Sequence, residues 1–207
     1  MRKNYTFLKI LLSITCGFIV GMLSAVAQNY TKVGIAGIMQ WGVVWIVGAY
    51  FIARLGREAW LSAVLGALFL LLAAFGYFWA LDLLGGNIQS GTLGFDWSIF
   101  PRWALTAAVA GGGLGLLSTF GGVKSTAGCF AQSLIPSVFL AIALFFLFNL
   151  AQYFDRIGFI GLMLLIAVIL HAAVYGRYAG AARSMLATLG LAVLWLILRG
   201  AYFLVQR

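Results

Sequence analysis

The chain has 207 residues, of which 64% are hydrophobic and only 8% are charged, with a formal net charge of +9 at pH 7. A soluble domain has roughly a quarter of its residues charged and does not expose this much hydrocarbon. The composition therefore excludes an ordinary water-soluble domain and predicts an all-α, polytopic bundle of transmembrane helices in a lipid bilayer. The thirteen Lys and Arg stand singly or in pairs between apolar runs, so no basic face exists to bind nucleic acid.

A transmembrane helix needs about 20 mostly apolar residues, and the intervals between charged residues provide seven segments of that length. They cover residues 7–28, 33–53, 59–81, 103–122, 128–152, 157–176 and 185–205. The seventh segment crosses the bilayer only if Arg199 reaches the headgroups from its last turns, so six spans remain the alternative. The segments predict a single transmembrane domain that occupies residues 1–207.

The distribution of basic residues predicts the orientation. With a cytoplasmic N-terminus, eight Lys and Arg fall on the inner side of the membrane and five on the outer side. Cytoplasmic loops carry the excess of Lys and Arg. We therefore expect a multi-pass protein of the bacterial inner (plasma) membrane with its N-terminus in the cytoplasm.

The first segment has two interpretations. Residues 24–27, Ser-Ala-Val-Ala, follow an apolar stretch and resemble the cleavage site of a secretory signal. Gly17, Gly21 and Ala25 recur every four residues, a spacing typical of close helix packing or partner docking. We favour a retained first helix, and cleavage would leave the orientation of the later segments unchanged.

The second and third segments are joined only by residues 54–58, which predicts an antiparallel hairpin. Trp41 and Trp45 share one face of the second segment with three glycines, and Gln40 precedes them. This face is either the aromatic wall of a ligand site or a helix contact. Tyr77 and Asp82 close the third segment at its outer end.

Other polar side chains are predicted to lie near the outer surface. Asn149 and Gln152 share a face near the outer end of the fifth segment. Polar groups inside membrane spans are costly and are candidates for function. The residues that we expect to line an outward-facing ligand site are Gln40, Trp41, Trp45, Tyr77, Asp82, Asn149 and Gln152.

The later segments contain a glycine run, a proline and one histidine. Gly111, Gly112, Gly113 and Gly115 either let the fourth helix pack closely or unwind it locally. Pro136 predicts a kink in the fifth segment. His171 is either hydrogen-bonded to a neighbouring helix, with Gln132 and Ser133 as candidate partners, or part of a proton or polar relay.

Signatures of catalysis and of metal binding are missing from the sequence. One His and four carboxylates show no metal-ligand spacing, and no GxSxG motif occurs. We expect no metal and no cofactor. An intramembrane enzyme, which is disfavoured, would need His171 or Asp82 as its catalyst.

Several residues carry a resemblance to a known family. They are Gly17 and Gly21 followed by Gln28, then Trp45, Arg57, Gly76-Tyr77, Pro101, Trp103 and the run Ala110–Gly115. In these the chain resembles small bacterial multi-pass membrane proteins known only as a domain of unknown function. The resemblance implies an integral inner-membrane protein and no activity. Members often have a glutamate in the fifth segment, where this chain has Gln132-Ser133, so a carboxylate role does not carry over.

A looser similarity is to the substrate-binding components of energy-coupling-factor vitamin transporters. Those proteins are of similar size and use small-residue faces on the first helix to meet a partner subunit, a pattern shared by Gly17, Gly21 and Ala25. They usually have six spans, and the seventh segment departs from that pattern.

Two functions follow as expectations. The first is binding or transport of a small or lipid-like ligand through the outward-facing site. The alternative is a non-catalytic structural or assembly subunit whose glycine faces dock on membrane protein partners.

Overall fold

The computed structural model describes residues 2–30, 43–84, 98–120, 126–148, 157–175, 187–194 and 197. Apart from short turns these residues are helical, and no strand occurs among them. The helices are α1 (Arg2–Tyr30), α2 (Val43–Ala53), α3 (Ala59–Leu83), α4 (Phe100–Thr119), α5 (Thr126–Phe148) and α6 (Ile157–Tyr175), and residues 187–194 are helical as well. The all-α prediction is confirmed for the described part of the chain.

Two of these helices are long and apolar enough to cross a membrane. They contain Tyr5–Ala27, within α1, and Ala59–Leu83, which is α3, with mean hydropathies of 2.3 and 2.2. Shorter apolar helical stretches cover Val44–Ala53, Ser133–Phe148 and Ile160–Ile169. The second and seventh predicted segments lie partly outside the described residues. The structure thus supports two candidate spans, and the seven-span bundle stays a prediction.

Contacts divide the chain into two compact units, Met1–Thr119 and Phe120–Arg207. In the first unit α3 is the central helix and packs against α1, α2 and α4. Accordingly 56% of the most apolar window of α3 is buried, against 28% for α1. The predicted single transmembrane domain stays a prediction.

Helices α1 and α3 run parallel and approach closely. The Ser13 hydroxyl donates a hydrogen bond of 2.7 Å to the Leu65 carbonyl oxygen. Gly17 lies against the Phe69 backbone and Gly21 against the Ala73 backbone. Both sequence numbers rise together, so the two helices are parallel. A Cβ at Gly21 would also meet the Tyr77 nitrogen, and one at Gly76 would meet the Phe18 carbonyl oxygen, so the contacts join positions of α1 to positions 52 to 58 residues later in α3.

Helices α3 and α4 run antiparallel, again with glycines at the crossing. Gly66 lies against Gly111, and Gly115 lies against Ser62, so the numbers on α4 fall as those on α3 rise. Helix α4 stays intact through Gly111–Gly115. Of the two expectations for this run, close packing is therefore the one that the structure supports.

Helix α2 folds back on α3 through a short turn. Gly48 lies against the ring of Phe69, and the Gly56 N–H donates to the Ala53 carbonyl oxygen at 2.9 Å. The Ser62 hydroxyl donates to the Gly56 carbonyl oxygen at 3.1 Å. The predicted hairpin is thus present, and α1, α2, α3 and α4 alternate in direction.

The second unit is built on the packing of α5 against α6. Large apolar side chains are buried in both helices: Ile135, Phe139, Phe146, Ile160 and Met163. Pro136 lies inside α5 and is buried. Helix α5 extends without interruption from Thr126 to Phe148.

Candidate functional site

Three helices of the first unit meet at Ser24, Trp45 and Tyr77, which we call the Trp45 cluster. The indole Nε1 of Trp45 donates a hydrogen bond of 2.8 Å to the Ser24 hydroxyl. That hydroxyl donates in turn to the Val20 carbonyl oxygen at 2.8 Å. The ring of Trp45 meets the ring of Tyr77 edge to face, with centroids 5.5 Å apart and an interplanar angle of 69°.

The register of the helices explains why these residues meet. The parallel packing of α1 on α3 brings Ser24 to the end of α3 that carries Tyr77, since Gly21, one turn before Ser24, already lies against the backbone of Ala73 and Tyr77. The α2–α3 hairpin brings Trp45 to the same level from the opposite direction. A buried indole N–H needs an acceptor, and the Ser24 hydroxyl, which is almost completely buried, provides it.

The sequence analysis did not identify Ser24 as a site residue, because it reads there as part of a cleavage signal or a small-residue face. The predicted segments do not pair the two residues either, because Ser24 lies four residues before the end of the first segment, whereas Trp45 lies twelve residues into the second.

Further aromatic side chains surround the same end of the first unit. Phe78 packs edge to face on Phe100 and Trp103, each with centroids 6.1 Å apart. Phe18 packs on Trp79 with centroids 5.4 Å apart. Together with the Trp45 cluster, these rings come from α1, α2, α3 and the start of α4.

The side chain of Trp45 is satisfied within the protein. Its only polar atom bonds to Ser24, and its half-buried ring packs against the apolar cluster of Ala49, Phe69 and Leu70. Asp82 is exposed in the last turn of α3, five residues beyond Tyr77, or about 7.5 Å along the helix axis at 1.5 Å per residue. The aromatic rings and this carboxylate thus lie toward the same end of α3.

The structure thus brings together two of the predicted site residues, Trp45 and Tyr77, and places Asp82 at the same end of α3. Four others lie outside the described residues: Gln40, Trp41, Asn149 and Gln152. His171 belongs to α6, but its side chain is also outside the description, so the proposed relay stays a prediction. No group of three or more His, Cys, Asp or Glu able to hold a metal occurs within the described ranges.

The predicted packing glycines fall into two groups. Gly17, Gly21, Gly111 and Gly115 all lie against the backbone of α3. Ala25 is buried in one apolar cluster with Phe78, Ala80 and Leu81. In contrast, a Cβ at Gly112 would be 4.0 Å from the nearest atom, the Ala63 carbonyl oxygen, and one at Gly113 would meet nothing within 4 Å.

In its described residues the chain is all-helical, with two candidate membrane helices and an aromatic cluster where its first three helices meet. The model of a family of unknown function (DUF6518) matches residues 2–206. The chain therefore belongs to that family, which confirms the prediction of an uncharacterised family. No curated protein and no solved structure matches the chain, and the similarity to energy-coupling-factor components stays a prediction.

Proposed function

We propose that the chain is a multi-pass inner-membrane protein, with seven spans, that binds a small or lipid-like ligand at the Trp45 cluster and exposes it to the outer side. The alternation of α1 to α4 supports the multi-pass arrangement, since successive spans joined by short connections must reverse direction. Exposed hydrocarbon supports it further, because Leu105 and Val109 of α4 are each 68% exposed and lipid is the solvent that favours such a surface.

The orientation is supported by the charges at the two ends of the first unit. Lys9, Arg54 and Arg57 belong to one end, whereas Asp82 and Arg102 belong to the other. Cytoplasmic loops are enriched in Lys and Arg. We therefore assign the first end, and with it the N-terminus, to the cytoplasm, which places the Trp45 cluster and Asp82 toward the outer side.

The observation that carries the binding proposal is the edge-to-face pair of Trp45 and Tyr77, held by the hydrogen bond to Ser24. A ring fixed in this way is a preorganised apolar contact, and preorganisation strengthens binding by reducing the ordering cost. Asp82, farther along α3, is exposed and adds a polar group at the outer end of the same helix. The ligand class is thus amphipathic, with its apolar part against the two rings.

The experiment is native mass spectrometry of protein extracted gently from its own membrane. We expect a small-molecule or lipid adduct on the wild type, and loss of that adduct in Tyr77→Ala, which removes one ring of the pair. Phe51→Ala is the matched control, because Phe51 is an exposed aromatic residue near the other end of α2. Absence of any adduct, or equal adducts on both variants, contradicts the proposal.

The alternative function, a structural or assembly subunit, is favoured by one observation. Gly113 is exposed with open space beside it, and Leu105, Val109 and Leu116 are exposed on the same helix. A partner helix would dock there, since Gly17, Gly21, Gly111 and Gly115 already contact α3. Gly113→Leu should then abolish co-purification of a stoichiometric partner, and an unchanged complex argues against this function.

A further inference from the structure

The cytoplasmic end assigned above to the first unit combines cations from two separate parts of the chain. Arg54 and Arg57 stand in the turn between α2 and α3 and are exposed. Lys9 comes from α1, one turn before Ser13, whose hydroxyl bonds to the Leu65 carbonyl oxygen in the first half of α3. Tyr5 lies one turn farther toward the N-terminus of α1. The two basic parts therefore lie at one end of the unit.

Within the part of the chain that the structure describes, no carboxylate forms an ion pair with the cations at this end. Glu58 is the one carboxylate at this end in the described part of the chain, and it accepts a hydrogen bond from the Trp60 indole N–H. No ion pair joins Glu58 to Lys9, Arg54 or Arg57 among the described residues. The Arg54 guanidinium instead lies 6.0 Å from the centroid of the Tyr50 ring. Lys9, Arg54 and Arg57 against Glu58 leave a net charge of +2 among these four side chains, and Arg2 and Lys3 begin α1 at the same end.

The side chains around these charges fit the boundary between headgroups and hydrocarbon. Trp60 is 58% exposed, and Tyr5, Leu8 and Leu55 are exposed as well. Trp and Tyr concentrate at the membrane–water interface, where one part of the ring is apolar and the other is wet. Trp60 and Tyr5 therefore place Lys9, Arg54 and Arg57 at the depth of lipid phosphates.

We propose that this end, formed by Lys9, Arg54, Arg57 and Trp60, is a binding surface for anionic phospholipid headgroups of the inner leaflet. The guanidinium group matches phosphate geometry and donates two parallel hydrogen bonds to it, while Trp60 packs beside the glycerol and upper acyl region. The proposal rests on the membrane insertion proposed above, but it is independent of the ligand at the Trp45 cluster.

The test uses full-length protein in nanodiscs with equimolar phosphatidylglycerol and phosphatidylcholine, followed by native mass spectrometry of the lipids that stay bound. The wild type should retain phosphatidylglycerol preferentially. Each cation removed should lower that preference roughly fivefold, because a juxtamembrane Lys or Arg contributes about that factor near an anionic surface. The variants are Arg57→Gln and the double variant Arg54→Gln with Arg57→Gln.

Two controls keep the test specific. Arg102→Gln removes an exposed cation from the opposite end of the unit, and it should leave the preference unchanged. Arg57→Lys keeps the charge and should retain most of the preference. An equal loss in Arg102→Gln, or an unchanged preference in the double variant, overturns the proposal.

Two further experiments distinguish a failure of this inference from a failure of the proposed membrane function. Soluble glycerol phosphate should not displace the retained phosphatidylglycerol; full displacement would show a site for free phosphate and overturn the lipid assignment. Carbonate extraction of native membranes tests insertion independently. Release of the chain by carbonate overturns the proposed membrane function and this inference together, whereas an inserted chain without lipid preference overturns this inference alone.

Discussion

The helices of the two units pack together through different kinds of contact. In Met1–Thr119 the helices meet backbone to backbone, with Gly17, Gly21, Gly66, Gly111 and Gly115 at the crossings. In Phe120–Arg207 the contact of α5 with α6 buries large side chains such as Phe146 and Met163. A Cβ built at Gly161 of α6 meets nothing within 4 Å.

The difference shows that the number of glycines in a helix does not indicate whether that helix packs closely on a neighbour. Glycine in a membrane helix permits close approach, but only a glycine that faces a backbone uses that freedom. Substitutions at equivalent-looking glycines should therefore have very different effects in the two units.

The largest effect is expected for Gly21→Leu. A Cβ at this position would lie 2.8 Å from the Ala73 carbonyl carbon and 2.9 Å from the Tyr77 nitrogen, and neither backbone atom can move without separating α1 from α3. We expect a loss of at least about 3 kcal/mol, the upper part of the range for overpacking. Thermal unfolding in detergent, followed by circular dichroism, measures it. Gly161→Leu is the control, and an equal loss there would refute the distinction between the units.

The next effect is expected for Met163→Ala in the second unit. Met163 is 0% exposed, so its truncation leaves a cavity between α6 and its neighbours. We expect a loss of about 2 kcal/mol in the free energy of unfolding, the low end for a buried Met→Ala change, because in the membrane location proposed above the unpacked methionine meets hydrocarbon and not water. Leu165→Ala, at an exposed position of the same helix, should change the free energy of unfolding little; equal losses would contradict the assigned burial.

A smaller effect is expected for Ser13→Ala. This change removes the hydrogen bond to the Leu65 carbonyl oxygen without adding bulk at the α1–α3 crossing. Hydrogen bonds between membrane helices are worth on average about 0.6 kcal/mol. Thr106→Ala is the control, since Thr106 bonds only within α4, to the Arg102 carbonyl oxygen. The free energy of unfolding of the double variant Ser13→Ala with Gly21→Ala, compared with those of the single variants, shows whether the Ser13 hydrogen bond and the Gly21 contact are coupled at the α1–α3 crossing.

The smallest effect is expected for Gly113→Ala, in the same glycine run as Gly111. Because Gly113 meets open space, the added methyl group is accommodated, and higher helix propensity raises stability by up to about 1 kcal/mol. Gly111→Ala should instead destabilise, since its Cβ would lie 2.8 Å from the Ala67 Cα. Destabilisation by both changes would mean that the open face of α4 is covered.

Much of the local structure could be predicted from sequence. The charged residues of the 54–58 turn mark the start of α3 at Ala59, and the spacing of Gly17 and Gly21 indicates a close crossing. The partner of that crossing could not be predicted. These helices are apolar on all sides and present little contrast between faces, so nothing in the pattern indicates that α1 packs mainly on α3 and less on α2.

Two of the three residues of the Trp45 cluster could be predicted from sequence, and the third could not. Trp45 and Tyr77 could be identified because each is an aromatic residue with a polar atom in an otherwise apolar segment. The hairpin of α2 and α3 then brings the two helices that carry them side by side. Ser24 does not stand out, since serine is also a small packing residue. Its role follows only from the register of α1 on α3, which depends on the fit of Gly17 and Gly21 against one particular stretch of backbone.

The parallel register of α1 and α3 also has a consequence for biosynthesis. Leu65, the partner of Ser13, is synthesised 52 residues after it, which at about 5–20 residues per second takes roughly 3–10 s. During that interval the packing surface of α1 on α3 does not yet exist. Trp45 follows Ser24 by only 21 residues, so the contact of α1 with α2 can form first, and the close crossing with α3 follows it.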